Sequence, residues 1–194
     1  MRESPTRKAL IEIGLRELLA KGYEGVGIGP VLAAAGVPKG SFYHFFRSKE
    51  DFACAIVDAY AAHYTARRGA TLEDAARPPL ARLERYFAAL VEEAAEDPRG
   101  GCVYGVLAQN TARQSEPIRA KVRACFDAWQ AAVAAVLAEA RDAGDLPPDF
   151  DAEGTAAFLI EAYEGALIRA KADGGPAALE RFLAFAVAPL VRGR

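Results

Sequence analysis

An all-α fold is predicted by three observations: alanine, leucine and arginine dominate the 194-residue chain, β-branched runs are rare, and apolar residues return at intervals of three and four. About nine helices follow. The first is expected from Thr6, as N-cap, to Lys21, with Leu10, Ile13, Gly14 and Leu18 as its apolar stripe and Gly22 closing it. The second runs from Ile28 to Ala35 with Pro30 in its first turn, where a missing N–H costs little, and Gly36 ends it. The third starts near Lys39, after Pro38, and ends near Phe46. Ser48 then caps a fourth, with Asp51 completing a Ser-x-x-Asp variant of the capping box, and that helix continues to about Arg67. The segment "GATLEDAARPP", residues 69–79, reads as a linker between two long apolar stripes. Beyond it helices are expected over 79–96, 100–113, 116–143, 151–173 and 176–191, separated by "EDPRGG", "SEP", "GDLPPDFD" and "GGP". The organisation predicted is a three-helix N-terminal domain over 1–50, a connecting helix over 49–67, and a larger helical domain over 51–194.

A chain of this length buries a sizeable core without staples. Its three cysteines, Cys54, Cys102 and Cys125, are widely spaced and odd in number, which points to free thiols in a reducing compartment and offers no metal-ligand spacing. Charges through residues 1–15 leave no apolar core for a signal peptide, and no later stretch has the length of a membrane span, so a cytoplasmic location with no membrane partner is expected. The formal net charge is −2, but it is unevenly distributed: residues 1–50 hold eight Lys/Arg against five Asp/Glu, net +3, and the remainder is net −5.

The basic end also contains "AAAGVPKGSFYHFFRSKEDF", residues 33–52, which crowds five aromatic rings behind a Gly-Val-Pro corner. Two short helices joined by such a corner match the helix-turn-helix plan, whose second helix is offered to the DNA major groove. On a helix beginning at Lys39, Phe42 and Phe46 lie four apart and share the inward face, leaving Lys39, Ser41, Tyr43 and His44 to point elsewhere. Tyr43 and His44 suit phosphate oxygens, and Lys39 and Ser41 suit base edges. Gly40 lets the backbone approach closely, and Lys49 adds a charge where a helix N-terminus already attracts phosphate.

The stretch "GVPKGSFYHFFRSKEDF", together with "ALIEIGLRELLAKGYEGVGI", resembles the DNA-binding domain of the TetR family of bacterial transcriptional regulators over roughly residues 6–60. The resemblance places Lys39, Gly40, Ser41, Phe42, Tyr43, His44 and Lys49 at the family's recognition-helix and phosphate-contact positions. It implies a homodimer on a near-palindromic double-stranded DNA operator, joined through the last two helices and released by a small-molecule inducer, with no cofactor. Stripes of Leu159, Ala162, Tyr163, Ala166, Leu167 and of Leu179, Phe182, Leu183, Ala186, Leu190 would supply the dimer contact. A narrower likeness, in "GGCVYGVLAQNTARQSEPIRAKV", "FDAWQ" and "YEGALIRAK", is to the branch whose repressors respond to acrylate and to electrophiles. By that likeness Cys102, Gln109, Trp129, Tyr163, Glu164 and Arg169 border the inducer. Cys102 also stands behind two glycines at an expected helix start, with Arg99 close in sequence, a setting that favours the thiolate. Glu164 lies within an apolar helix, where a carboxylate needs a partner such as Arg169 or a ligand. Two readings from other classes stand beside this one. They are a thiol-dependent enzyme using Cys102 with His63 or His44, and a helical adaptor without DNA contacts. No catalytic or metal-binding residue is assigned.

Overall fold

The computed structural model describes residues 4–96, 100–111 and 113–192, and all regular structure among them is helical. Ten helices appear in order: α1 (Pro5–Gly25), α2 (Ile28–Ala34), α3 (Phe42–Phe45), α4 (Lys49–Leu72), α5 (Pro79–Glu96), α6 (Val103–Asn110), α7 (Glu116–Asp142), α8 (Ala152–Asp173), α9 (Ala177–Phe182) and α10 (Ala188–Arg192). A 3₁₀ turn, Lys39–Ser41, leads into α3, and a π-helical turn, Leu183–Val187, joins α9 to α10.

Several predicted boundaries are corrected. Ser4, rather than Thr6, is the residue before α1, because Pro5 fits the first helical position and the Lys8 N–H already bonds the Ser4 carbonyl at 3.1 Å. Ile11 joins Leu10, Gly14 and Leu18 on the buried face of that helix, where Ile13 was expected. Gly22 does break it: at φ 69° and ψ 173° it leaves helical geometry, and one further short turn follows. Helix α4 continues five residues past Arg67 into the expected linker, since Leu72 is buried in a core and its carbonyl accepts from Arg82 at 2.6 Å. Helix α6 is shorter than 100–113 because Gly101, at φ 117°, and the extended Cys102 hold the chain off helical geometry. The expected final helix is interrupted by the π turn, in which the Ala188 N–H reaches back to the Leu183 carbonyl. Pro189 lies just beyond, with no N–H to donate and a ring that would strike the Phe185 carbonyl of a regular α-helix; the wider turn accommodates both.

The chain forms two compact units. The first takes the residues up to His63 together with Cys102–Cys125, so that α6 and the start of α7 belong with the N-terminal helices. Helix α1 packs against α2 and α6, and the core is built from Leu10, Ile11, Leu18, Val31, Leu32, Phe42, Phe46, Phe52 and Ile56, all buried. The second takes Tyr64–Gly101 and the residues from Phe126 onward. Its core runs through Leu83, Phe87, Leu90, Val133, Leu137, Leu159, Tyr163, Leu179 and Phe182, with α8 packed on α9 and α5 against α9 and α10.

Candidate nucleic-acid interface

The corner between α2 and the 3₁₀ turn is set by Gly36. At φ 66° it occupies the left-handed region, its N–H bonds the Ala33 carbonyl at 3.1 Å, and the Val37 N–H bonds the Leu32 carbonyl at 2.9 Å. These two bonds close α2 and turn the chain. Pro38 then directs it into the 3₁₀ turn, where the Ser41 N–H reaches the Pro38 carbonyl at 2.9 Å.

The following four-residue helix is too short to persist by propensity and is held by its rings. Phe42 is 0% exposed and contacts Phe46 and Phe52 at centroid separations of 5.4 and 5.6 Å, while Phe46 and Phe52 meet at 4.7 Å. With Phe42 and Phe46 inward, Lys39, Gly40 and His44 are exposed, Ser41 is half-buried, and Tyr43 is 72% exposed with its ring edge-on to Phe42. The helix thus buries one face and presents donors on the other. Phe52 is the residue sequence reasoning did not single out, although it closes the quoted motif; its role depends on α4 folding back over α1.

Lys49, at the start of α4, is half-buried rather than free. Its ammonium sits 4.6 Å above the Tyr23 ring and 3.4 Å from the Glu24 carbonyl. Tyr23 was not anticipated in this role. Its hydroxyl pKa is raised, chiefly by burial and further by Glu50 and Glu24, so it remains a neutral ring beneath the cation. Ser48 caps the same turn, accepting from the Asp51 N–H at 3.0 Å, but the Asp51 carboxylate reaches one residue beyond the cap expected for a capping box and accepts from the Arg47 N–H at 2.9 Å.

The residues expected at the inducer fall into both units. Cys102 and Gln109 belong to the first. Cys102, 8% exposed, is the extended residue before α6, Gln109 is exposed on that helix, and Arg99 lies outside the described residues. Trp129, Tyr163, Glu164 and Arg169 belong to the second. Trp129 and Tyr163 come together there, buried and edge to face with centroids 5.9 Å apart, and the Tyr163 hydroxyl donates to the Leu90 carbonyl at 3.3 Å. Glu164 is half-buried, but Arg169 is not its partner: it is exposed and bonds Asp173, four residues on, at 2.8 Å. That bond holds the Asp173 carboxyl below its usual range.

The stripes expected at a dimer contact are largely used inside the protomer, with Leu159, Tyr163, Leu179 and Phe182 in the core of the second unit. The large apolar groups left exposed on these helices are Phe158 and Ile168 on α8 and Phe185 in the π turn. Facing inward was the simpler use of those stripes, because α8 and α9 must first bury themselves against α5.

Two family profiles cover most of the chain. Residues 10–56 match that of the bacterial regulatory proteins of the tetR family, and residues 79–186 match the tetracyclin repressor-like C-terminal domain. The chain belongs to the TetR family. It is 38% identical to the transcriptional regulator AcuR of Cereibacter sphaeroides over 92% of this chain and 82% of that protein. It is 33% identical to the HTH-type transcriptional repressor DhaR of Mycobacterium sp. over 94% and 91% of the two chains. The crystal structure of regulatory protein TetR from Rhodobacter sphaeroides superposes with a TM-score of 0.89 at 35% identity, covering 95% of this chain and 98% of that one. The all-helical fold and the helix-turn-helix expected from the sequence are those of the family, and the chain is a DNA-binding transcriptional regulator. No helix among the described residues is long and apolar enough to cross a membrane.

Proposed function

We propose that the protein is a cytoplasmic repressor that binds a near-palindromic operator as a homodimer and is released by a small ligand. The observation that carries the operator contact is the division of one short segment: Phe42 and Phe46 are buried while Lys39, Gly40, Tyr43 and His44 lie exposed. Lys39 and Ser41, in the 3₁₀ turn that enters α3, are offered to base edges, and Tyr43, His44 and Lys49 to phosphates. The sequence division is proposed to hold, with 1–50 as the DNA head, α4 as the connection and the rest as the sensing and pairing part.

Pairing is proposed through the exposed side of α8, where Phe158, Glu161, Gly165 and Ile168 follow one another at helical spacing, together with Phe185. Gly165 has no atom within 4 Å of the place a Cβ would take, which leaves room for a close neighbour. A symmetric pair would carry two recognition segments and so match a two-fold operator. Release follows linkage: a ligand that favours the conformation with weaker DNA affinity loses the same coupling free energy when DNA is present. The burial of Cys102 favours a reversible ligand over an electrophile. The deciding experiment measures binding to the DNA upstream of the protein's own gene at fixed salt, for wild type, Tyr43→Ala and Lys49→Ala. Loss of affinity across sequences in both variants supports the reading, and unchanged affinity refutes it.

A further inference from the structure

Lysines of the first unit are held in different ways. Lys8 and Lys21 each pair with a glutamate four residues away on α1, Glu12 at 3.9 Å and Glu17 at 2.6 Å. Lys49 enters no ion pair among the described residues. Its own helix offers it none in the forward direction, because the residues three and four positions on are Phe52 and Ala53. The carboxylates of the same turn are engaged elsewhere: Glu50 accepts from the Ser115 hydroxyl at 2.5 Å and Asp51 from the Arg47 N–H at 2.9 Å.

What holds Lys49 is neutral. Its ammonium stands 4.6 Å from the centroid of the Tyr23 ring and 3.4 Å from the Glu24 carbonyl. Both supports come from one short turn. Gly22, at φ 69° and ψ 173°, takes the chain out of α1, and the Val26 N–H bonds the Tyr23 carbonyl at 3.3 Å, so the backbone there sets Tyr23 and Glu24 side by side. A carboxylate partner would cancel the ammonium's charge at short range, whereas the face of a ring attracts the cation and leaves its charge in place. Of the three N–H donors on an ammonium, the carbonyl takes one, at long range.

We propose that Tyr23 is a positioning residue for operator binding, its ring holding the Lys49 ammonium, uncancelled, where a phosphate of the duplex meets it. The inference deepens the reading of Lys49 as a phosphate contact and rests on it. A lysine stem is flexible and gives up rotamer freedom when its head is fixed on a phosphate. One already seated on a ring has given up part of that freedom beforehand, so less affinity is lost on binding. Tyr23 acts through Lys49 rather than by touching DNA, so its contribution is electrostatic and independent of base sequence.

Binding to the upstream duplex is measured across a series of salt concentrations for the full-length wild type, Lys49→Ala, Tyr23→Phe, Tyr23→Leu and the Tyr23→Leu/Lys49→Ala double variant, with Tm followed in parallel. Lys49→Ala is expected to lower the slope of log affinity against log salt by about 0.9 per protomer. Tyr23→Leu should weaken binding about 2–5-fold, move the slope in the same direction, and add nothing to Lys49→Ala in the double variant. Tyr23→Phe keeps the ring and should bind like wild type. Pentafluorophenylalanine in place of Tyr23 keeps the shape of phenylalanine but draws electron density from the ring face, so it should bind as weakly as Tyr23→Leu; it decides the matter should Tyr23→Leu fold poorly. A Tyr23→Leu loss that adds in full to that of Lys49→Ala, a Tyr23→Phe protein as weak as Tyr23→Leu, or a fluorinated ring that binds as tightly as Tyr23→Phe would each overturn the proposal. Lys49→Ala with wild-type affinity and slope sinks the phosphate reading and the positioning role with it. A weakened Lys49→Ala beside an unaffected Tyr23→Leu sinks the positioning role alone.

Discussion

Gly14 offers a test of how the recognition segment is held. A glycine inside a helix ordinarily costs about 1 kcal/mol relative to alanine, so Gly14→Ala in α1 would be stabilising if propensity were the only effect. A Cβ at Gly14, however, would stand 2.3 and 2.8 Å from two carbons of the Phe52 ring and 2.8 Å from the Ile56 methyl. Carbon atoms pack at about 3.5–4.0 Å, so the ring must move by more than an ångström. Phe52 has nowhere to go, being 1% exposed and packed on Phe46 and Phe42 at 4.7 and 5.6 Å. Overpacking of this kind costs about 1–3 kcal/mol, and three contacts this short put Gly14→Ala at the upper end. Subtracting the propensity gain leaves a net loss of about 1–2 kcal/mol, a fall in Tm of about 2–8 °C. Because Phe52 supports Phe42, whose neighbour Tyr43 is proposed to meet DNA, operator affinity should fall as well. Urea denaturation and fluorescence anisotropy on the same preparation read both effects. Gly29→Ala is the control, for Gly29 lies in α2 with nothing within 4 Å of its would-be Cβ, and it should be neutral or slightly stabilising. A Gly14→Ala protein as stable as wild type would refute the packing account of α3.

Lys39→Ala should leave stability within about 0.5 kcal/mol, since the side chain is exposed, yet lower the slope of log affinity against log salt by about 0.9 if Lys39 meets a phosphate, or relax base preference without that change if it reads a base edge. Phe185→Glu, at a position 78% exposed in the free protomer, should shift sedimentation velocity toward monomer while circular dichroism stays helical; an unchanged dimer would move the proposed interface elsewhere. Cys54, whose thiol pKa is raised chiefly by burial and by Glu50, Asp58 and Asp51 against the pull of Lys121, should alkylate more slowly than a free thiol at pH 8, and should gain rate on going to pH 10 as its thiolate forms. Mass spectrometry after timed iodoacetamide treatment measures it, and a rate equal to free cysteine at pH 8 would contradict the burial. Cys102→Ser should keep operator binding and leave the response to a thiol-reactive compound in a reporter strain the same as wild type; a blunted response would restore the electrophile reading.

What the chain made legible was local. The corner at Gly36, the Ser48 cap on the Asp51 N–H and the division of Phe42 from Tyr43 each depend on residues within a few positions of one another, where spacing and backbone preference decide the outcome. What it hid was long-range. Phe52 beneath Phe42, Tyr23 beneath Lys49 and the grouping of α6 with the N-terminal helices all require knowing how α1 and α4 fold back. Periodicity also cannot say which of two apolar faces on one helix meets the core. On α8, Leu159 and Tyr163 lie on the face turned inward and Phe158 and Ile168 on the one left exposed.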